Sequence, residues 1–241
     1  MQRPSPSQLA AELVPALARR CDGVARFVLG LVGPPGVGKS LLATALTDAF
    51  NDHLRRRDAA AVLGMDGFHL SQAELVNRGL ADVKGAPDTF DVEGFTTCLR
   101  QLRKPEAQVR PPAFDRVTED PVIGEVIVTP RHQLLVVEGN YLLLGGRWRA
   151  VRALLDEVWQ LEVPDDVRVT DLIARHVSHG RTLEAATEWV MRSDEANARL
   201  IKVAAARADA VVDVMTGELL VSRRRRAVPE TRGRSLQQPP S

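Results

Sequence analysis

Gly33-Pro34-Pro35-Gly36-Val37-Gly38-Lys39-Ser40 is the stretch on which the rest of the chain depends for its reading. Its glycines let the backbone curl until consecutive N–H groups point inward, which is the geometry that cradles phosphate oxygens. Phe27 to Val32, just before it, is a continuous apolar run of strand length. Just after it, Leu41, Leu42, Ala45, Leu46 and Ala49 recur on one helical face. The loop therefore joins the end of a buried strand to the start of a helix, whose first turn adds partial positive charge to the inward amides. In that setting Lys39 neutralises charge on the β- and γ-phosphates of a nucleoside triphosphate, and the Ser40 hydroxyl ligates Mg²⁺. Gly33, Gly36, Val37, Gly38, Lys39, Ser40 and Leu41 form the expected nucleotide-binding set.

Outward from this loop the pattern repeats in weaker form. Ala60 to Gly64, Leu134 to Val137 and Glu157 to Val163 read as further buried strands, separated by helix-like segments. Leu9, Leu13, Ala16 and Leu17 predict an N-terminal helix over Leu9 to Arg20. Alternation of this kind, with right-handed crossovers, gives an α/β fold whose mainly parallel sheet is covered by helices on both faces and whose ligands sit beyond the strand C-terminal ends. The expectation is a three-layer P-loop NTPase fold over residues 1–222, with a lead-in at 1–26, an acceptor-side insertion at 84–130 and a lid region at 164–192. Between Ala107 and Pro130 the helical period disappears and prolines at 111, 112, 121 and 130 interrupt short β-branched runs. Residues 223–241 begin with four arginines and continue as polar, proline-containing sequence, so a disordered, solvated tail is expected.

Composition narrows the partners. The chain of 241 residues has 44% apolar side chains, enough for one large domain to bury its own core. Its 32 basic and 31 acidic residues nearly cancel, so no global field points to nucleic acid or an anionic membrane. Cys21 and Cys98 lack metal-ligand spacing, and no run approaches the roughly 20 apolar residues of a membrane span. A cytoplasmic protein with a small-molecule partner is expected, with a homodimer left open.

Two carboxylates follow strands and so should share the sheet edge with the loop. Asp66, in Met65-Asp66-Gly67-Phe68-His69, is suited to accept a proton from an acceptor hydroxyl lying in line with the γ-phosphate, or to cap a helix starting near Leu70. His69 could hold the acceptor or simply pack. Glu138, ending Leu134-Leu135-Val136-Val137-Glu138-Gly139-Asn140, stands where a buried carboxylate calls for Mg²⁺, a metal-bound water or Lys39 as compensation, or else reaches solvent. An Asn-Lys-x-Asp loop for guanine is missing, which favours ATP.

Taken in order, the P-loop, Asp66-Gly67-Phe68-His69, Pro87-Asp88-Thr89-Phe90-Asp91, Pro112-Ala113-Phe114-Asp115-Arg116, Val137-Glu138-Gly139-Asn140-Tyr141 and the helix from Asp165 to Gly180 resemble the phosphoribulokinase, uridine kinase and bacterial pantothenate kinase superfamily, in particular its uridine-kinase-like (fructose-kinase-like) branch. The resemblance implies that Asp66 is the catalytic base, that His69 and Asp91 contact acceptor hydroxyls, and that Asn140 and Tyr141 lie on the acceptor side. It further implies that Phe90 and Phe114 wall the pocket, where ordinary aromatic packing is the alternative. Arg116 would bind an acceptor phosphate or pair with Asp115 or Glu119. Asn197, with Ser193 and Arg199, resembles the segment bordering adenine. On the helix at 165–180, Val169, Leu172, Ile173 and Val177 are expected to face inward, while Asp171, Arg175 and His179 share an exposed face. Arg168 and Arg175 match two lid arginines of uridine kinases, but Asp171 and Leu172 replace two others; Arg175 would stabilise charge in transfer or pair with Asp171. The segment after Phe114 also lacks the histidine that uridine kinases place beside their acceptor base. The combined expectation is an ATP- and Mg²⁺-dependent kinase acting on a hydroxyl of a nucleoside, sugar, sugar phosphate or pantothenate-like metabolite, against a nucleotide-dependent regulatory or ATPase module.

Overall fold

The computed structural model describes residues 3–115, 118, 120–124 and 126–221. Arg116 and the segment 223–241 lie outside the described residues.

Helix α1 (Pro6–Cys21) starts at a capping box in which Ser5 Oγ accepts the Gln8 N–H and Gln8 Oε1 accepts the Ser5 N–H. Strand β1 (Phe27–Val32) feeds the glycine-rich loop and α2 (Lys39–His53), and β2 (Ala60–Gly64) ends in a 3₁₀ turn at Met65–Phe68. There follow α3 (Gln72–Asn77), α4 (Val92–Leu102), a hairpin of β3 (Pro112–Asp115) and β4 (Asp120–Ile123), and β5 (Leu134–Glu138). Next come α5 (Arg149–Arg152), β6 (Glu157–Glu162), α6 (Asp165–Ser178), α7 (Leu183–Trp189), α8 (Glu195–Ala204), β7 (Ala210–Asp213) and β8 (Leu219–Val221).

The main sheet has the order β2-β5-β1-β6-β7-β8, with every pair parallel except β7 with β8. Strand β1 lies between β5 and β6, two strands that come much later in the chain, so the chain passes to opposite sides of it and leaves a crevice at its C-terminal end. Register fixes what meets there: Glu138 is opposite Leu31 of β1 on one side and Gly64 of β2 on the other. The glycine-rich loop, Asp66 and Glu138 thus share one edge.

Side-chain alternation along β1 and β5 divides the core into two layers. Leu29, Leu31, Leu134 and Val136 pack with Leu9, Leu13, Leu17, Leu42 and Leu46 of α1 and α2. Val28, Val32, Leu135 and Val137 pack on the other face with Phe95 and Leu99 of α4, Trp148, Val151 and Ile201 of α8. The expected three layers are present. Residues 84–130 are only partly an appendage, since α4 belongs to the core and the hairpin forms its own two-stranded sheet. Arg26 joins the two parts: its buried guanidinium donates to the carbonyls of Leu102, Thr129 and His132, tying the end of α4 to the start of β5.

Three local expectations are corrected. Helix α3 is capped by Ser71, so Asp66 does not serve as its cap. The inward face of α6 is Arg168 and Leu172, whereas Val177 is exposed. Strands β7 and β8 were not anticipated as strands; they extend the sheet beyond β6.

Candidate active site

Gly36 and Gly38 take φ of +84° and +95°, the left-handed backbone that inverts the chain so that its amides face one centre. Gly38 leads directly into α2, and no side chain caps that helix, so its first amides remain available to an anion. Lys39 Nζ donates to Pro34 O at 3.2 Å, which folds the side chain back over the loop. Burial draws the Lys39 ammonium down from 10.5 to about 8, against the opposing pull of Glu138 and Asp66; Arg175 and Arg168 lower it further. Ser40 Oγ donates to Glu138 Oε1 at 3.1 Å, and Glu138 is 8% exposed.

A polar cleft of about 180 Å³ opens between the loop and the acceptor side. Its walls include Lys39, Ser40, Glu138, Asp66, His69 and Arg175, with Phe90, Asn140 and Asn197 beside them. His69 is held by its ring: Nδ1 is 2.8 Å from Asp66 O, and the imidazole lies 4.0 Å from the Phe90 ring and 4.8 Å from that of Phe114. Phe90 is buried, so it does both things weighed for it, packing in the core and backing the cleft. Phe114 faces an adjoining cavity of about 210 Å³ under the hairpin, which shares Ser40, Asp66 and Glu138 with the cleft. The hairpin can sit there because Gly67 has no side chain: a Cβ on it would lie 2.3 Å from Pro112 O.

A larger cavity of about 690 Å³ lies on the other side of the loop, reaching Gly36, Gly38 and the exposed Leu41, with Arg175 shared between it and the cleft. Asn197, expected beside the nucleotide base, lines the cleft together with Asp66 and with Gly36, Lys39 and Ser40 of the loop.

Two expected acceptor contacts are corrected. Asp91 accepts the Gly94 N–H at 2.9 Å as the N-cap of α4 and does not line the cleft; the first turn of that helix needs the acceptor its carboxylate supplies. Tyr141 is fully buried, and its hydroxyl donates to Gly85 O at 2.5 Å, so it fixes the loop behind the cleft rather than meeting a ligand. On the lid, Arg168 is also fully buried: it donates to Pro35 O at 3.2 Å and pairs with Asp165 and Glu195. Asp171, weighed as a partner for Arg175, pairs with Arg3 at 3.0 Å.

The cleft also contains residues the sequence did not mark: Lys84, Trp189 and Asp194. Trp189 and Asp194 flank a single π-helical stretch at Val190–Asp194, a wide turn that often accompanies functional sites and has no sequence signature. Asp194 faces His176 Nε2 at 3.0 Å; burial raises its pKa against the pull of that histidine. Ser193 and Asn197, singled out with the nucleotide in mind, were the available hint that this segment reaches the site.

A glycine-rich phosphate loop at the end of β1, with Glu138 at the end of the adjacent β5, Asp66 just after β2 one strand further and a helix over the mouth, defines a P-loop kinase. Residues 28–221 match the phosphoribulokinase / uridine kinase family, and the chain belongs to it. A candidate uridine kinase of Schizosaccharomyces pombe, C227.14, is 33% identical over 73% of this chain and 78% of its own length. The crystal structure of a candidate fructose transport system kinase from Silicibacter sp. TM1040 superposes with a TM-score of 0.74 at 37% identity, covering 81% of this chain and 94% of that one. The pantothenate kinase of Streptomyces coelicolor is 30% identical over 66% of this chain, which spans only 49% of it. Membership supports ATP-dependent phosphoryl transfer to a small molecule as the class of chemistry. Among the described residues no helix is long and apolar enough to cross a membrane.

Proposed function

We propose that this chain transfers the γ-phosphoryl group of ATP to a hydroxyl of a small metabolite bound in the 180 Å³ cleft, with Asp66 as the general base. The observation that carries this reading is the shared wall: Lys39 and Ser40 of the phosphate loop, the two strand-end residues Asp66 and Glu138, and His69 all border one polar cavity. A module that only hydrolysed ATP or switched on binding it would have no need for a second polar pocket facing the same lysine.

In this mechanism the acceptor hydroxyl is oriented by His69, whose ring is pinned by its bond to Asp66 O and by Phe90 and Phe114. Asp66 takes the hydroxyl proton as the acceptor oxygen bonds to the γ-phosphorus and the bond to the β-phosphate oxygen breaks, releasing ADP. Lys39 and Arg175 offset the charge on the transferring group, and the amides of the loop hold the phosphates that stay behind. A hydroxyl and a carboxylate in contact, Ser40 and Glu138, form an oxygen donor set suited to a hard cation, and a carboxylate as buried as Glu138 favours one nearby. Ser40 and Glu138 would hold Mg²⁺, which would supply charge neutralisation on the phosphate oxygens. A nucleoside, a sugar, a sugar phosphate and a pantothenate-like alcohol are the acceptor classes this reading covers. The adjoining 210 Å³ cavity leaves room for one longer than the cleft alone.

The test is ATP consumption with Mg²⁺ against a panel of these acceptors, run with wild type and Asp66→Asn. One acceptor should raise turnover well above the no-acceptor rate, and Asp66→Asn should remove that gain while leaving ATP affinity in place. ATP binding without stimulation by any acceptor class, or stimulation that survives Asp66→Asn, would overturn the proposal.

A further inference from the structure

The 690 Å³ cavity has one wall that no expectation from sequence placed there. Arg3, Pro4, Pro6 and Leu9 border it, facing Gly36, Gly38 and Lys39 of the phosphate loop. This proximity is built into the fold. Leu9, Leu13 and Leu17 of α1 are buried against Leu42 and Leu46 of α2, the helix that begins at Lys39. The capping box at Ser5 then sets the direction in which the preceding residues leave α1. Arg3 is thereby brought back over the mouth of the loop.

The guanidinium lies between two elements. Its Nη1 donates to Asp171 Oδ2 of α6 at 3.0 Å, and its Nη2 lies 3.8 Å from the position a Cβ would occupy on Gly38. An arginine has five donors in a fixed planar fork, and the bond to Asp171 takes one of them. Resting on solvent alone, an ion pair with side chains 33% and 52% exposed would contribute little. Here it aims a permanent cation at a cavity that also holds Lys39 and Arg175 and, among the described residues, has Asp171 as its one acidic wall residue. A cavity of this size and charge suits a nucleoside polyphosphate.

From this geometry we infer that Arg3 is a nucleotide-binding residue, reaching the phosphates or ribose of ATP from the N-terminal segment, and that Asp171 is the positioning residue that holds it there. The inference rests on the reading of this protein as an ATP-dependent kinase, but it concerns binding and is tested without any acceptor. Asp171 then has a purpose on a helix that covers a phosphate site, where an acidic side chain by itself would repel the ligand. Its charge is spent on the arginine that meets the nucleotide.

The experiment is calorimetric titration of the full chain with ATP and, separately, with adenosine, both with Mg²⁺, in wild type, Arg3→Ala, Arg3→Lys, Asp171→Asn and the double variant Arg3→Ala with Asp171→Arg. Loss of a charge-assisted contact should weaken ATP binding by roughly ten- to hundredfold in Arg3→Ala, with adenosine weakened far less. Arg3→Lys should fall between, and Asp171→Asn should cost less than Arg3→Ala. The double variant, which supplies the guanidinium from the helix, should recover affinity. Arg3→Ala binding ATP as tightly as wild type overturns the inference and leaves the kinase reading intact; so does a double variant no better than Arg3→Ala alone. Absence of ATP binding in wild type overturns both.

Discussion

Lys39 should make nucleotide affinity depend on pH in a range where lysines ordinarily do not titrate. Its ammonium is held at about 8 by burial, and bound phosphates, placed where they neutralise it, raise that value again. Between these two values the free protein must take up a proton to bind ATP. With a free-state pKa of about 8, roughly three quarters of the molecules are protonated at pH 7.5 and roughly one in thirty at pH 9.5. Affinity should therefore fall about 25-fold across that span, close to 1.9 kcal/mol, with a slope approaching tenfold per unit above pH 8.

Calorimetric titration with ATP at fixed ionic strength and saturating Mg²⁺ reads this directly, with Lys39→Arg as the control that keeps its charge throughout. Few other groups confuse the window. Burial pushes Cys21 up to about 12 and Cys98 up to about 11, and it pushes Tyr141 higher still. Stability supplies a second sign. Between the folded value near 8 and the ordinary 10.5, the unfolded chain keeps a proton that the folded chain has lost, so this group makes the ligand-free protein more stable as pH rises. General alkaline unfolding would move both quantities down together. A flat Kd from pH 7.5 to 9.5 in wild type, or the same slope in Lys39→Arg, would refute the reasoning.

Two further perturbations separate scaffold from site. Arg168→Met removes a fully buried guanidinium and leaves Glu195, 19% exposed, and Pro35 O without it; stability should fall by about 3 kcal/mol, roughly 6–12 °C in a thermal melt. Gly67→Ala would place a Cβ 2.3 Å from Pro112 O and push the hairpin off the 3₁₀ turn that carries Asp66. Steady-state kinetics with the stimulating acceptor should then show the acceptor KM rising more than the KM for ATP, at a stability cost of about 1–3 kcal/mol by melting.

What could be read from the sequence was what neighbours in the chain determine. Strands buried on both faces appear as apolar runs, unbroken in β1, β2 and β5 and interrupted by Gln160 in β6, so these were visible; β7 and β8 offer only three apolar residues each, Ala210–Val212 and Leu219–Val221, too short to stand out. The phosphate loop was legible because its chemistry lies within eight consecutive residues. The N-cap role of Asp91 was missed although its local signal was adequate: an aspartate just before the apolar positions Val92, Phe95 and Leu99 is an N-cap pattern. Arg168 was a different kind of miss. Its partners Glu195 and Pro35 are 27 and 133 residues away, and no spacing rule connects them. Arg3 and Asp171, 168 residues apart, are further still from local inference.

The two arginines of α6 show how the fold divides one helical face between structure and chemistry. Arg168 and Arg175 are seven residues apart, nearly two turns, and so point to almost the same side. Yet Arg168 is fully buried among Pro35, Asp165 and Glu195, while Arg175 is exposed and borders both the 180 Å³ cleft and the 690 Å³ cavity. The same face is thus inserted into the protein at its N-terminal end and stands over the site at its C-terminal end. Breaking a buried ion pair costs several kcal/mol, so the N-terminal end of the helix is held in place at Arg168. Because Arg168 also bonds to Pro35 O, that anchor is attached to the phosphate loop itself. Arg168 thus holds the glycine-rich loop and α6 together. Asp171 and Leu172 lie beyond that anchor, on the half of the helix where Arg175 borders both cavities and Asp171 pairs with Arg3.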